Sequence, residues 1–317
     1  MAAAGPAVGA AGRILVIKHG ALGDLVQAMG PLAAIRRHHP GARVTLLTTP
    51  PFRDFLAACP DVDEVWTDTR PPVWNLPAIL ALARRLRRGG FTRVYDLQTS
   101  RRSSRYLALF GRRRPEWSGI APGASHPHAD PRRDAMHTLD RQRAQLAAAG
   151  IASVPPPSLD WVPDAPLPAG LRPGAFVVLV PGGSAHRPEK RWPVDRFAAL
   201  AARLAAEGLQ PVVVGGAGER PLAAAIRARA AEALDLTGAT DLFDLVRLGR
   251  AAVAAVGNDT GPVHLLAVAG APTVVLFSRA SDPALCAPRT GRVAVLRRDD
   301  LADLPVEPVL AALSGFR

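Results

Sequence analysis

Three short stretches combine the residue types that phosphate and sugar chemistry needs. The first, Gly20-Ala21-Leu22-Gly23-Asp24, sets two glycines and a carboxylate directly after an apolar run. Glycines let the backbone turn sharply and approach a ligand, and a carboxylate at the mouth of a helix can act as a base. Asp is also a favoured helix cap, so capping competes with catalysis for Asp24. The second, Pro181-Gly182-Gly183-Ser184, leads into a basic stretch from His186 to Trp192. Its backbone N–H groups and the point charge of Lys190 suit a diphosphate, whereas the plainer reading is a solvated basic loop. The third runs from Gly257 to His264, GNDTGPVH. Pro262 fits a first helical turn, so Thr260 and Gly261 would point their N–H groups out of a helix N-terminus, a ready anion site. His264 and Asp259 converge on the same strand end, against the alternative of an Asn/Asp-capped helix with a structural His.

Two further motifs carry less. Gly215-Gly216-Ala217-Gly218-Glu219 could present Glu219 to ribose hydroxyls, or be a plain glycine-rich turn. Asp61-Val62-Asp63 matches a D-x-D metal and nucleotide signature, but it is three residues long with no acidic cluster nearby, so chance explains it and no metal is expected. The glycine spacing is neither the dinucleotide G-x-G-x-x-G nor the P-loop pattern.

These loops need strands and helices to hold them. Arg13 to Lys18 reads as a strand, followed by a helix whose apolar residues run from Leu25 to Ile35 and which should stop near Pro40-Gly41. Arg43 to Thr48 then completes a βαβ unit and implies a parallel sheet. Further strands are expected at Asp63 to Trp66 and Thr92 to Leu97, with a helix from Leu76 to Arg87 between them. The pattern restarts with strands at Phe176 to Val180, Pro211 to Val214, Ala252 to Val256 and Thr273 to Phe277. Helices are expected at Val194 to Glu207, Leu222 to Ala231 and Pro262 to Ala269. Seven prolines from Pro155 to Pro173 mark a linker. The expected organisation is a flexible lead-in at 1–12, an N-terminal domain at 13–154, a linker at 155–173 and a C-terminal domain at 174–317. Both domains read as α/β and doubly wound, facing a central cleft into which the strand-end loops project.

The chain has 317 residues, 48% hydrophobic and 21% charged, the balance of a folded protein of two domains. Cys59 and Cys286 are the sole cysteines, so neither a disulfide framework nor a cysteine metal cluster is indicated, and a reducing cytosol is the expected compartment. No stretch approaches the roughly 20 apolar residues of a membrane span. The net charge is +12, and from Arg70 to Arg143 sixteen Arg and no Lys face five acidic residues. That excess suits an anionic partner, a phosphorylated lipid surface, a phosphorylated glycan or nucleic acid, or else it is the Arg-rich sequence of a GC-rich genome. No nucleic-acid module accompanies it, and no nucleic-acid partner is expected.

In this order the motifs resemble glycosyltransferase family 9, the bacterial heptosyltransferases that extend the lipopolysaccharide inner core. The likeness spans about Arg13 to Phe277, through ILVIKHGALGDLVQAMGPLAAIRRHHPGARV, PGGSAHRPEKRWP and VGNDTGPVHLLAVAGAPTVVLF. The resemblance implies a GT-B architecture of two Rossmann-like domains and an inverting, metal-independent transfer of a heptose or related sugar from a nucleoside-diphosphate sugar, with ADP-heptose the expected donor, to a lipopolysaccharide core or related glycan. A non-catalytic nucleotide-sugar-binding protein is the alternative. Asp24 matches the family's catalytic base and Lys190 its diphosphate-binding lysine. Gly183, Ser184, Glu219, Asp259, Thr260, Gly261 and His264 fall to the donor, and Gly23, Gln98, Arg102 and Arg105 to an anionic, phosphorylated glycolipid acceptor. The nucleotide sugar is a substrate and no cofactor is implied, and the enzyme is expected in the cytoplasm, with peripheral contact to the inner membrane. Three positions depart from the family pattern: Thr99 stands where a small residue is usual, and Ala185 and His186 where hydroxyl residues are.

Overall fold

A computed structural model describes residues 12–184, 186–289 and 291–316. All but the last residue of the expected lead-in, and Ala185, lie outside the described residues. The chain forms two compact units, one running to Gly20 and again over Ala28–Pro156, the other comprising Ala21–Gln27 and the chain from Pro157 onward.

The first unit holds β1 (Arg13–Ile17), β2 (Arg43–Thr48), β3 (Glu64–Thr67), β4 (Arg93–Asp96), β5 (Glu116–Gly119) and β6 (His126–Pro127) in one sheet, ordered β3-β2-β1-β4-β5-β6. All neighbours pair parallel, β1 lying against both β2 and β4. The second unit holds β7 (Phe176–Val180), β8 (Gln210–Val213), β9 (Leu234–Asp235), β10 (Ala254–Asn258), β11 (Thr273–Phe277) and β12 (Val293–Arg297), ordered β12-β11-β10-β7-β8-β9 and again parallel throughout. Strands covered on both faces read as unbroken apolar runs, and FVVLV in β7 and TVVLF in β11 are buried at every position. In the first unit Leu15, Ile17, Leu47 and Val94 pack with Leu86, Phe110 and Trp117. In the second, Val177, Leu179, Val213 and Val256 pack with Trp192 and Phe197. The parallel α/β architecture expected of each half is present. The strands β5, β6, β9 and β12 are additions to the expectation.

The single helix expected after β1 is two, Leu22–Gln27 and Met29–His38, broken at Ala28. Pro31 is the cause: it has no N–H to give the carbonyl of Gln27 and its ring crowds that oxygen, so the helix cannot run through. The consequence is large, because the break lets the first helix cluster with the second unit while the next stays with the first.

Candidate functional site

In the second unit the loops after β7 and β10 and the Leu22–Gln27 helix line a cavity of about 480 Å³. Asp24, Lys190, Gly183, Ser184, Glu219, Asp259, Thr260, Gly261, His264 and Gly23 all contribute to its walls. In a parallel sheet of this strand order the crevice lies where the connections change direction, between the carboxyl ends of the first and fourth strands of the unit, here β7 and β10.

Glycine is demanded by close approach. A Cβ on Gly261 would fall 2.5 Å from Leu22 Cβ, and one on Gly23 2.9 Å from the His264 ring, so the Leu22–Gln27 helix packs against the Gly261–Val268 helix through these two residues. Asp24 is the third residue of its helix, inside the first turn rather than at the N-cap position. Among the described residues no hydrogen bond or ion pair ties down its half-buried carboxylate.

The centre of the cavity is a polar chain. Lys190 Nζ donates to Asp259 Oδ2 at 2.7 Å, and His264 Nε2 stands 3.5 Å from Asp259 Oδ1. Gln27 Nε2 is 3.2 Å from His264 Nδ1 and also donates to the Cys286 carbonyl at 3.0 Å. Burial alone would raise the Asp259 carboxyl, but hydrogen bonds from His264 and Lys190, with the Lys190 charge, outweigh it and hold the group well below the usual carboxylate range. Burial, reinforced by Asp259, pushes the Cys286 thiol up to about 12, so it is an unreactive neutral wall of the cavity.

Glu219 carries more structure than its motif suggests. Gly183 N donates to its Oε1 at 3.0 Å and Gly216 N to its Oε2 at 2.8 Å, so one carboxylate joins two loops. A Cβ on Gly182 would lie 1.6 Å from Glu219 Oε1, which is why glycine stands there. Asn258 does the same from the other side, donating to the carbonyls of Pro181 and Gly182 at 2.9 and 3.0 Å and accepting from Trp192 N at 2.9 Å.

The charged lining is Lys190 and Arg187 against Asp24, Glu219 and Asp259, which is not a basic pocket. An anion would therefore rely on directed N–H groups. The Gly261–Val268 helix has no side-chain cap, Pro262 gives it no N–H in its first turn, and Thr260 bends back to bond the Asn258 carbonyl at 3.2 Å, which leaves the helix mouth turned toward the cavity.

Sequence reading missed Gln27, Arg187, Asn258 and Cys286 as members of the site. Gln27 carried a usable signal, since three residues after Asp24 on a helix is the same face. Asn258 lay inside a motif already singled out, and a polar residue ending an apolar strand asks for partners. A lone Cys286 carried none.

Of the acceptor-side candidates, Gly23 belongs to the second unit and lines the cavity already described, whereas Gln98, Arg102 and Arg105 lie in the first unit. Gln98 Oε1 accepts from His19 N at 2.9 Å, so its side chain secures a loop. Arg102 donates to the Pro71 carbonyl at 2.9 Å, and Arg102 and Arg105 line a separate cavity of about 390 Å³. Asp63 of the D-x-D stretch accepts from Arg36 at 2.5 Å and Val44 N at 2.6 Å, a structural tie. Among the described residues no three His, Cys, Asp or Glu side chains are grouped as metal ligands would be.

Comparison with known proteins bears on the family and the fold. The model of "Glycosyltransferase family 9 (heptosyltransferase)" matches residues 79–305. Lipopolysaccharide heptosyltransferase 2 of Escherichia coli K12 is 36% identical over 120 residues, 36% of this chain and 34% of that protein. The chain thus spans about a third of the length of the curated relatives it matches. Among solved structures, a family 9 glycosyltransferase of Veillonella parvula aligns with a TM-score of 0.82 at 20% identity, over 96% of this chain and 97% of the other. E. coli ADP-heptose LPS heptosyltransferase II aligns with a TM-score of 0.79 at 22% identity, over 96% and 98%. Both show the two-unit, GT-B type of fold.

Proposed function

Since the chain belongs to glycosyltransferase family 9, we propose that it transfers a heptose or closely related sugar from a nucleoside-diphosphate donor to a phosphorylated glycan acceptor, with inversion and without a metal ion. The observation that carries this reading is a single cavity lined by an untethered carboxylate, Asp24, and by an ammonium, Lys190, beside the open helix mouth at Thr260 and Gly261. A base and an anion-stabilising group are the two devices a displacement at an anomeric carbon needs.

Asp24 takes the proton from an acceptor hydroxyl as its oxygen bonds to the anomeric carbon. The bond from that carbon to the phosphate oxygen breaks, and the diphosphate leaves with the electron pair. Lys190, fixed by Asp259, and the N–H groups of Thr260 and Gly261 receive the negative charge that develops on it. His264 keeps Asp259 ionised and so keeps Lys190 in place. Gly183 and Ser184 line the side on which the diphosphate lies, and Glu219, already holding two loops, keeps lone pairs for ribose hydroxyls. Gly23 forms part of the floor next to Asp24. Gln98, Arg102 and Arg105 are assigned to the acceptor, the two arginines meeting its phosphates. The likeness to an E. coli ADP-heptose LPS heptosyltransferase supports ADP-heptose as donor and a lipopolysaccharide as acceptor, taken here as its core.

Calorimetric titration of ADP, with GDP and UDP as comparators and EDTA present, tests the reading. Selective binding of ADP followed by turnover of ADP-heptose is the expected result. Preference for another diphosphate would change the donor, and binding with neither transfer nor donor hydrolysis would leave a nucleotide-sugar-binding protein. Failure of every diphosphate to bind would overturn the proposal.

A further inference from the structure

Among the described residues five large hydrophobic side chains are prominently exposed, and Val73, Trp74, Leu76 and Leu80 are four of them. They fall within eight residues of the first unit, at the start of the Leu76–Arg88 helix. Trp74, at 79%, is the most exposed. A large apolar residue just ahead of the Asn75 cap would ordinarily be stapled back onto the helix, but a side chain this exposed is not packed there.

The helix itself has apolar residues on two sides. Ala83 and Leu86 are buried and Ile79 and Leu82 half-buried, which satisfies its core face. Leu76 and Leu80 lie off that face, and the same flank continues at helical spacing into Arg84 and Arg87. The second flank of the patch is basic as well: Val73 and Ile79 share a cavity with Arg101, Arg102 and Arg105 of the Arg101–Leu109 helix. From Thr69 to Tyr95 there is no acidic residue. An exposed apolar cluster framed by arginines is the composition of a surface that lies in a lipid headgroup layer, with Trp at the interface and Leu just below it. Self-association through this face would set arginines against arginines, and a protein partner would need a correspondingly acidic apolar ridge.

We propose that Val73, Trp74, Leu76 and Leu80 form a docking surface for an anionic phospholipid bilayer, the apolar side chains entering at headgroup depth and Arg84, Arg87 and Arg101 holding lipid phosphates. This surface belongs to the first unit and shares no residue with the donor cavity of the second, and it does not depend on which sugar is transferred.

The test is co-sedimentation of the full chain with phosphatidylcholine vesicles, with and without phosphatidylglycerol, and tryptophan quenching by brominated acyl chains. Binding that requires phosphatidylglycerol is expected, weakened at least about tenfold in the Leu76→Ser/Leu80→Ser variant, with ADP binding unchanged as the check on folding. Trp74→Phe should keep vesicle binding and lose most of the quenching, because Trp66, Trp117 and Trp192 are buried and Trp161 is half-buried. No binding to anionic vesicles, or equal binding by the double-serine variant, would overturn the proposal. So would a dimer in the parent that the same variant dissolves, since the surface would then serve a second copy of the chain.

Discussion

The two units repeat one topology and use it differently. Counted from its own first strand, the second sheet has the order third, second, first, fourth, fifth, sixth, as the first sheet does. β1 and β4 in one unit therefore correspond to β7 and β10 in the other, and each pair flanks the position where an open parallel sheet accepts a ligand. In the first unit that position is packed. Lys18 Nζ donates to the Leu97 carbonyl at 3.3 Å, His19 N to Gln98 Oε1 at 2.9 Å, and Thr99 N to Asp96 Oδ1 at 3.0 Å, with Lys18, His19 and Asp96 all buried. In the second unit Gly182 and Gly183 follow β7, and the cavity opens instead. Small residues and backbone N–H groups at the strand end make room for a ligand, whereas long polar side chains in the same place turn inward and close it.

The largest expected effect distinguishes the two crevices by chemistry. Asp24→Asn should keep ADP affinity and lose roughly 10²–10⁴ in turnover, the usual worth of a positioned base. Asp96→Asn, at the end of the corresponding first-unit strand, should change neither by more than about twofold. Steady-state rates and calorimetry on both variants check this, and a catalytic loss in Asp96→Asn would show that the packed crevice is not inert.

The strand-end carboxylates also differ in acidity. Burial pushes Asp96 up to about 7, against the hydrogen bond from Thr99 N, whereas Asp259 is held well below the carboxylate range. Between pH 3.8, the ordinary value, and about 7 the folded chain keeps a proton on Asp96 that the unfolded chain has released, so its contribution to stability falls as pH rises through that window. Asp259 has the opposite sign: its contribution is complete above the ordinary value and is lost as pH falls below it. His39, which burial lowers to about 4, adds a rising slope up to its ordinary 6.5 and masks Asp96 in the parent alone. The difference between Asp96→Asn and parent isolates it. Urea unfolding should show the variant gaining on the parent as pH rises from 4 to 8, by up to roughly 3–4 kcal/mol. A gap that does not widen would mean that Asp96 is ionised at little cost.

The same contrast explains what could be read from the sequence. β1, β7 and β11 declare themselves as apolar, β-branched runs because both faces are covered. Outer strands escape: EWSG in β5 is half polar, and β6 and β9 are two residues each. VAVLR in β12 is an apolar run, but its exposed positions break the pattern of a buried strand. The site residues were legible where glycine, charge and strand end coincide, as at Asp24, Lys190 and Asp259. The pairing of Lys190 with Asp259 spans 69 residues and leaves no local trace. Nor does the migration of the Asp24 helix into the second unit, although Pro31 marks the break that permits it.

The smallest effect concerns what closes the first crevice. Thr99 has φ of 44°, in the left-handed region, where a β-branched side chain crowds its own backbone at a cost of order 1–3 kcal/mol. The strain is sustained because Thr99 N is needed by Asp96 Oδ1, which fixes the loop after β4. Glycine adopts that conformation freely and keeps the N–H, though it gives back some of the gain through the greater freedom of its unfolded chain. Thr99→Gly should therefore stabilise the protein by about 1 kcal/mol, seen as a higher urea midpoint at unchanged slope, with ADP affinity unaltered. If stability drops instead, the Thr99 side chain is itself part of the packing, and the first crevice is closed by side-chain contacts rather than by the backbone bond alone.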